Sequence, residues 1–333
     1  MPRRISLAFR VRVLAVCLAA VTGCDRDDAG TAAPGAAGGG ATAVPAASLA
    51  EARREFTTKL LRKEADGEPA PKPPAQLFDL VHYDAPAGKL AAYVSRVPAG
   101  AAKRPAIVWL FGGFSNGIGE TAWEAAPPSN DQSARAFREA GVVTMYPSLR
   151  GGNDNPGFKE GFLGEVDDVL AAAEFLAKHE SVDPDRIYLG GHSTGGTLAL
   201  LAAAAVPPGR FRAVFAFGPA ANACDYGQEV LPFDVDDERE CAVRSPARWV
   251  ATIRTPVFVI EGAGDPGNIA ALQDLAAAAK GNAAVRFRAV GLANHFSILA
   301  PATKLLAGKI KADTGASTNI TLGEQELGRM MRG

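Results

Sequence analysis

Gly191-His192-Ser193-Thr194-Gly195 sets a serine between small residues in the spacing G-x-S-x-G. The residues before it, Ile187-Tyr188-Leu189-Gly190, read as a strand, and those after it as an Ala/Leu-rich helix. A serine on a sharp strand-to-helix turn needs small neighbours, because the two backbones approach closely there. Its hydroxyl is then exposed at the carboxyl end of a sheet, and the amides that open the helix face the oxyanion of a carbonyl under attack. The chemistry this spacing suits is acyl transfer through a nucleophilic Ser193.

Such a serine needs a general base, and the chain has four histidines: His82, His179, His192 and His295. His192 adjoins the serine, and adjacent side chains point apart, so it is expected to pack below the site. The chain order nucleophile, acid, base leaves His295, in Ala293-Asn294-His295-Phe296 after the last apolar run. The acid is expected where Val257–Ile260 runs into Glu261-Gly262-Ala263-Gly264-Asp265. Asp265 is the first choice to orient His295 and Glu261, nearer the strand, is the rival. The oxyanion hole is expected from the N–H of Thr194 and that of Gly113 or Phe114, in the glycine-rich loop after Ile107-Val108-Trp109-Leu110-Phe111. This chemistry calls for no metal and no organic cofactor.

The elements that would hold these residues alternate. Apolar runs lie at 77–84, 89–97, 104–112, 142–146, 187–190, 214–217, 257–260 and 285–290. Helical stretches are expected at 51–63, 130–140, 164–179, 195–206, 268–280 and 297–311. Continuous apolar runs alternating with helices argue for an α/β fold, a mostly parallel sheet covered by helices on both faces.

With these residues placed, residues 77–312 resemble the α/β-hydrolase catalytic domain of the prolyl oligopeptidase family and its dienelactone-hydrolase-like relatives. The resemblance rests on the elbow together with Tyr146-Pro147-Ser148-Leu149-Arg150-Gly151-Gly152, Glu165-Val166-Asp167-Asp168-Val169, Val182-Asp183-Pro184-Asp185-Arg186 and Pro256-Val257-Phe258-Val259-Ile260. It implies a serine hydrolase that cleaves ester, amide or short peptide substrates. Arg150 is expected to be a scaffold residue tied to Asp167 and Asp168. The family's oligopeptidases carry an N-terminal β-propeller that the reading does not find here, and many place a tyrosine in the oxyanion loop where this chain has Phe114. Both departures weigh against peptides more than against esters. The reading from another class is a non-catalytic cell-envelope binding protein that keeps the hydrolase fold.

The 333 residues suffice for one large α/β domain, and a formal charge of −1 gives no sign of nucleic-acid binding. Arg3, Arg4, Arg10 and Arg12 precede an apolar run and then Val21-Thr22-Gly23-Cys24. That layout reads as a secretory signal over 1–23 with Cys24 as a lipidation site, and so as membrane attachment by a lipid anchor in a bacterial cell envelope. Asp25 favours the periplasmic face of the inner membrane in a host with two membranes. Residues 24–75 are expected to form the anchor, an Ala/Gly/Pro tether and a short helix, 76–315 the catalytic domain, and 316–333 a C-terminal tail. Cys224 and Cys241 are expected to form a disulfide, with two free thiols as the alternative. They enclose acidic residues in a small cap, 222–248, expected to border the pocket.

Overall fold

The computed structural model describes residues 48–98 and 102–332. The signal segment, Cys24 and most of the expected tether lie outside the described residues.

Eight strands form one sheet: β1 (Phe78–Ala85), β2 (Gly88–Ser95), β3 (Arg104–Leu110), β4 (Val143–Pro147), β5 (Val182–His192), β6 (Val214–Phe217), β7 (Val257–Gly264) and β8 (Val285–Asn294). Their order is β1-β2-β4-β3-β5-β6-β7-β8. β1 and β2 pair antiparallel, as do β2 and β4; every pairing from β4 through β3 to β8 is parallel. This is the mostly parallel sheet expected from the alternation, in the α/β-hydrolase architecture that the resemblance implies.

The apolar runs are continuous because both faces of the sheet are covered. Along β3, Ala106, Val108 and Leu110 pack on one side with helices Gly164–Lys178, Thr194–Ala204 and Ile269–Ala278. Ile107 and Trp109 pack on the other side with Phe137 and helix Leu299–Ala312. Side chains alternate across a strand, so one run of apolar residues supplies two cores. Chain order reverses at β3, whose neighbours are β4 and β5, and such a switch point opens a crevice beyond the carboxyl ends of the strands. The loops that leave β3 and β5 carry Gly112–Gly117 and Ser193.

The expected helix over 51–63 is shorter, Leu49–Arg54. The chain beyond it is a strap rather than a tether. Leu61 N–H donates to the Pro232 carbonyl, and Asp66 and Gly67 N–H donate to the carbonyls of Gly151 and Asn153. Glu240, buried, accepts from Thr58 Oγ1, Lys59 N–H and Arg244. The fold therefore begins well before residue 76. The 316–333 tail also packs: Ile320, Leu322 and Leu327 are buried, and Arg288 Nε donates to the Leu322 carbonyl.

Arg150 is tied to Asp168 as expected. Its N–H and Nε donate to Asp168 Oδ2, each at 2.9 Å, and its Nη2 to Oδ1 at 2.9 Å; Nη1 reaches Glu160 at 2.6 Å. Asp167 pairs instead with Arg53. Asp168 is fully buried, so removing its charge leaves the largely buried guanidinium with Glu160 as its remaining ion-pair partner. Asp168→Asn is expected to cost about 3 kcal/mol, read from the midpoint of a urea unfolding curve at pH 7.

Candidate active site

Ser193 ends the turn between β5 and helix Thr194–Ala204 with φ 55° and ψ −118°. Few residues other than glycine take a positive φ, and holding one there costs on the order of 1–3 kcal/mol. The surroundings enforce it. Ser193 N–H donates to the Phe217 carbonyl at 2.7 Å, and its own carbonyl accepts from Thr197 N–H at 2.9 Å. A Cβ on Gly191 would overlap the Gly195 carbonyl, and one on Gly195 would overlap the Leu110 carbonyl. The two glycines of the motif are therefore demanded by close backbone approach. Ser193 stays partly exposed at the sheet end.

His295 follows β8 and is only 8% exposed. Its N–H donates to the Pro266 carbonyl, and its Nδ1 lies 2.9 Å from Glu261 Oε2. A carboxylate only accepts, so Nδ1 carries a proton toward Glu261, and in the neutral ring Nε2 is the nitrogen with the lone pair. Glu261 has no exposed surface; Oε1 accepts from Gly262 N–H at 2.7 Å and Oε2 from Asn268 N–H at 3.2 Å.

The residue on His295 is thus Glu261, which corrects the preference for Asp265. The reason lies in the length of β7. The strand runs past Ile260 to Gly264, paired with β8 through Glu261↔Ala289 and Gly262↔Val290. That puts Glu261 in the buried floor of the site. Asp265 lies beyond, exposed, joined by a cis peptide to Pro266, and its carbonyl takes a 3.4 Å contact from Asn294 Nδ2. A charged residue directly after four apolar strand residues was the available signal, because it had to be buried with a partner. Gly218, at φ 54°, abuts the pair, and a Cβ there would overlap His295 Cε1.

His192 packs below the site as expected. Its Nε2 lies 3.0 Å from the His295 carbonyl, and the two rings sit 4.4 Å apart. His192 Nδ1 is buried without a partner. Burial, with a smaller contribution from His295, pushes the His192 pKa down to about 3. The ring is neutral at working pH, with Nε2 as its donor. The other two histidines are elsewhere: His82 on the edge strand β1, and His179 at the end of helix Gly164–Lys178, where Nδ1 accepts from Ser181 N–H.

Thr194 Oγ1 donates to the Gly113 carbonyl at 2.7 Å, binding the β3 loop to the elbow. Across a trans peptide the carbonyl and the next N–H point oppositely. Turning the Gly113 carbonyl to Thr194 therefore turns the Phe114 N–H away from the Thr194 hydroxyl. A pocket opens beside this loop, with Thr194, Gly112, Gly113 and Phe114 on its rim, and Phe162, Val230 and Pro232 among its walls.

Cys224 and Cys241 form a disulfide, Cα–Cα 5.7 Å. The segment they bracket meets the pocket through apolar Val230 and Pro232. Its acids point outward: Asp234, Asp236, Asp237 and Glu238 are exposed, and Asp237 caps helix Glu238–Arg244.

The model of the prolyl oligopeptidase family matches residues 128–304, more than half of the chain. The chain belongs to the prolyl oligopeptidase family. The dual function macrocyclase-peptidase POPB of Galerina marginata is 29% identical over 124 residues, 35% of this chain and 16% of that protein. An uncharacterised protein of Mycobacterium tuberculosis is 28% identical over 163 residues, 47% of this chain and 56% of that one. The chain thus spans only part of the curated relatives it matches. Among solved structures, a puromycin-hydrolysing peptidase of Mycobacterium tuberculosis superposes with TM-score 0.56 at 19% identity, covering 71% of this chain and 39% of that one. Carboxyl esterase 2 of Tuber melanosporum gives 0.54 at 17%, covering 79% and 98%. At these identities the likeness speaks for the fold.

His192 supplies a pH signature. Its folded pKa of about 3 lies below the unfolded value near 6.5. As pH falls below about 6.5 the unfolded chain takes a proton that the folded chain refuses, so stability is lost down to the folded pKa. In His192→Gln the slope of unfolding free energy against pH, measured by urea titration between about pH 5.5 and 4, is expected to be shallower by roughly 1.4 kcal/mol per unit.

Proposed function

We propose that this protein is a serine hydrolase acting on esters or on amide bonds of small peptides, with Ser193, His295 and Glu261 as its triad. The observation that carries the reading is the Glu261–His295 hydrogen bond, on the loops that flank a strained serine. In this reading His295 Nε2 removes the Ser193 proton as Oγ attacks the substrate carbonyl. Glu261 holds the tautomer and stabilises the imidazolium that forms. The N–H groups of Thr194 and Gly113 receive the oxyanion, and the helix that opens at Thr194 adds its dipole. The imidazolium then protonates the leaving alcohol or amine. Water, activated by the same histidine, releases the acid and restores Ser193.

Family membership, and neighbours that include both peptidases and an esterase, support hydrolysis without choosing between the two bond types. We further infer that the chain is a lipoprotein, carried by Cys24 on the periplasmic face of a bacterial inner membrane. The order of basic start, apolar run and small residues before Cys24 supports this. Growth with radiolabelled palmitate is expected to label the wild-type protein and not Cys24→Ala; equal labelling of both would refute the anchor.

The catalytic reading is tested with a fluorophosphonate probe and a p-nitrophenyl ester. Labelling is expected to vanish in Ser193→Ala and to fall sharply in His295→Ala. Glu261→Gln is expected to lower kcat by about 10³–10⁴-fold, while Asp265→Asn stays within a few-fold of wild type. A folded wild-type protein that takes no probe would favour the non-catalytic binding protein.

A further inference from the structure

The pocket beside the oxyanion loop is mostly apolar, with Phe114, Phe162, Leu149 and Val230 in its walls, yet three ionic side chains line it: Glu64, Lys159 and Glu165. Two have partners of opposite charge. Glu64 pairs with Arg62 and Lys159 with Asp66, each at 2.6 Å. Glu165 does not. It is 2% exposed, in the first turn of helix Gly164–Lys178. Its Oε1 accepts from Glu160 N–H at 2.7 Å, Gly161 N–H at 3.1 Å and Asn116 Nδ2 at 3.1 Å. Its Oε2 is buried and has no hydrogen-bond partner. The nearby guanidinium of Arg150 is already engaged by Asp168 and Glu160. Burial raises the Glu165 pKa and Asp168 adds to the rise, against backbone hydrogen bonds and Arg150, which lower it.

A buried carboxylate oxygen without a donor is costly, and a ligand that supplies one recovers that cost on binding. The Oε1 contacts explain why the residue is held in place; Oε2 alone has no donor, in a side chain that lines the pocket. Asn116 also joins Glu165 to the loop of Gly112–Gly117, so the vacant acceptor is fixed relative to the amides that would face the scissile carbonyl.

We propose that this pocket receives the substrate group next to the scissile carbonyl and favours one with an apolar stem ending in a protonated amine, whose N–H is accepted by Glu165 Oε2. The aromatic and aliphatic walls take the methylene stem, and the carboxylate takes the cationic end. The assignment of which bond is cut rests on the serine hydrolase reading; the binding preference does not.

The test compares N-acetyl-lysine and N-acetyl-norleucine p-nitrophenyl esters, which differ at the chain end alone. Wild type is expected to show kcat/KM at least about tenfold higher for the lysyl ester, the scale of one charge-assisted hydrogen bond. In Glu165→Gln, which keeps an acceptor for the Oε1 donors, the lysyl-to-norleucyl ratio is expected to fall close to one, whatever happens to the absolute rates. A norleucyl preference in wild type, or an unchanged ratio in folded Glu165→Gln, overturns the proposal. A second measurement needs neither the Glu165 variant nor turnover. Calorimetry on Ser193→Ala is expected to show n-hexylammonium binding at least about tenfold tighter than n-hexanol, and equal binding overturns the proposal. Selective amine binding in a protein whose wild type hydrolyses neither ester would sink the serine hydrolase reading and leave the pocket assignment standing.

Discussion

A serine held at positive φ is the constraint on which the rest of the site depends. Nothing in an isolated chain favours that conformation, and it persists because the surroundings leave no alternative. The Phe217 carbonyl fixes the amide of Ser193 from β6, and the backbones of β3 and of the following helix close in on Gly195. The elbow is therefore a junction of three strands and a helix, and small residues recur along it because carbonyl groups occupy the space that side chains would need.

The buried carboxylate of Glu261 solves a second problem in the same volume. It accepts two backbone N–H groups and the imidazole N–H, so its charge is dispersed over donors that cannot rotate away. His192 and Gly218 hold His295 from either side, one through its carbonyl and one through the absence of a side chain. The preorganisation is electrostatic as well as steric. Burial keeps the His192 ring neutral, so it adds no positive charge beside His295.

Much of this was legible in the sequence. The alternating runs specify the sheet because its two buried faces leave no polar interruptions, and the elbow is readable because its spacing answers a local steric demand. The partner of His295 was less legible because its identity depends on where β7 stops, and strand ends follow pairing with a neighbour rather than local composition. Glu261 reads as a strand terminus until the register with β8 makes it an interior residue. The strap was missed for a related reason. Residues 58–67 hold to the domain largely through backbone hydrogen bonds and the pairing of Thr58, Lys59 and Asp66 with distant partners, which leave no periodic pattern to read. Glu165 lies in the first turn of a helix, where acids are common, and only the contacts of its two oxygens set it apart.

That strap also bears on modularity. The sheet, the elbow, Glu261 and His295 all lie within 78–295, and the family match begins later still, at 128. A fragment cut at 78 would keep Ser193, Glu261 and His295 and lose Glu64, which lines the pocket, with the backbone donors that brace Gly151 and Asn153; one cut at 128 would also lose β1, β2, β3 and the loop of Gly112–Gly117. Recombining such a fragment with other domains would carry these residues without the full wall of the pocket beside them. The unit that evolution or an engineer can move intact is the sheet together with the leader that wraps it.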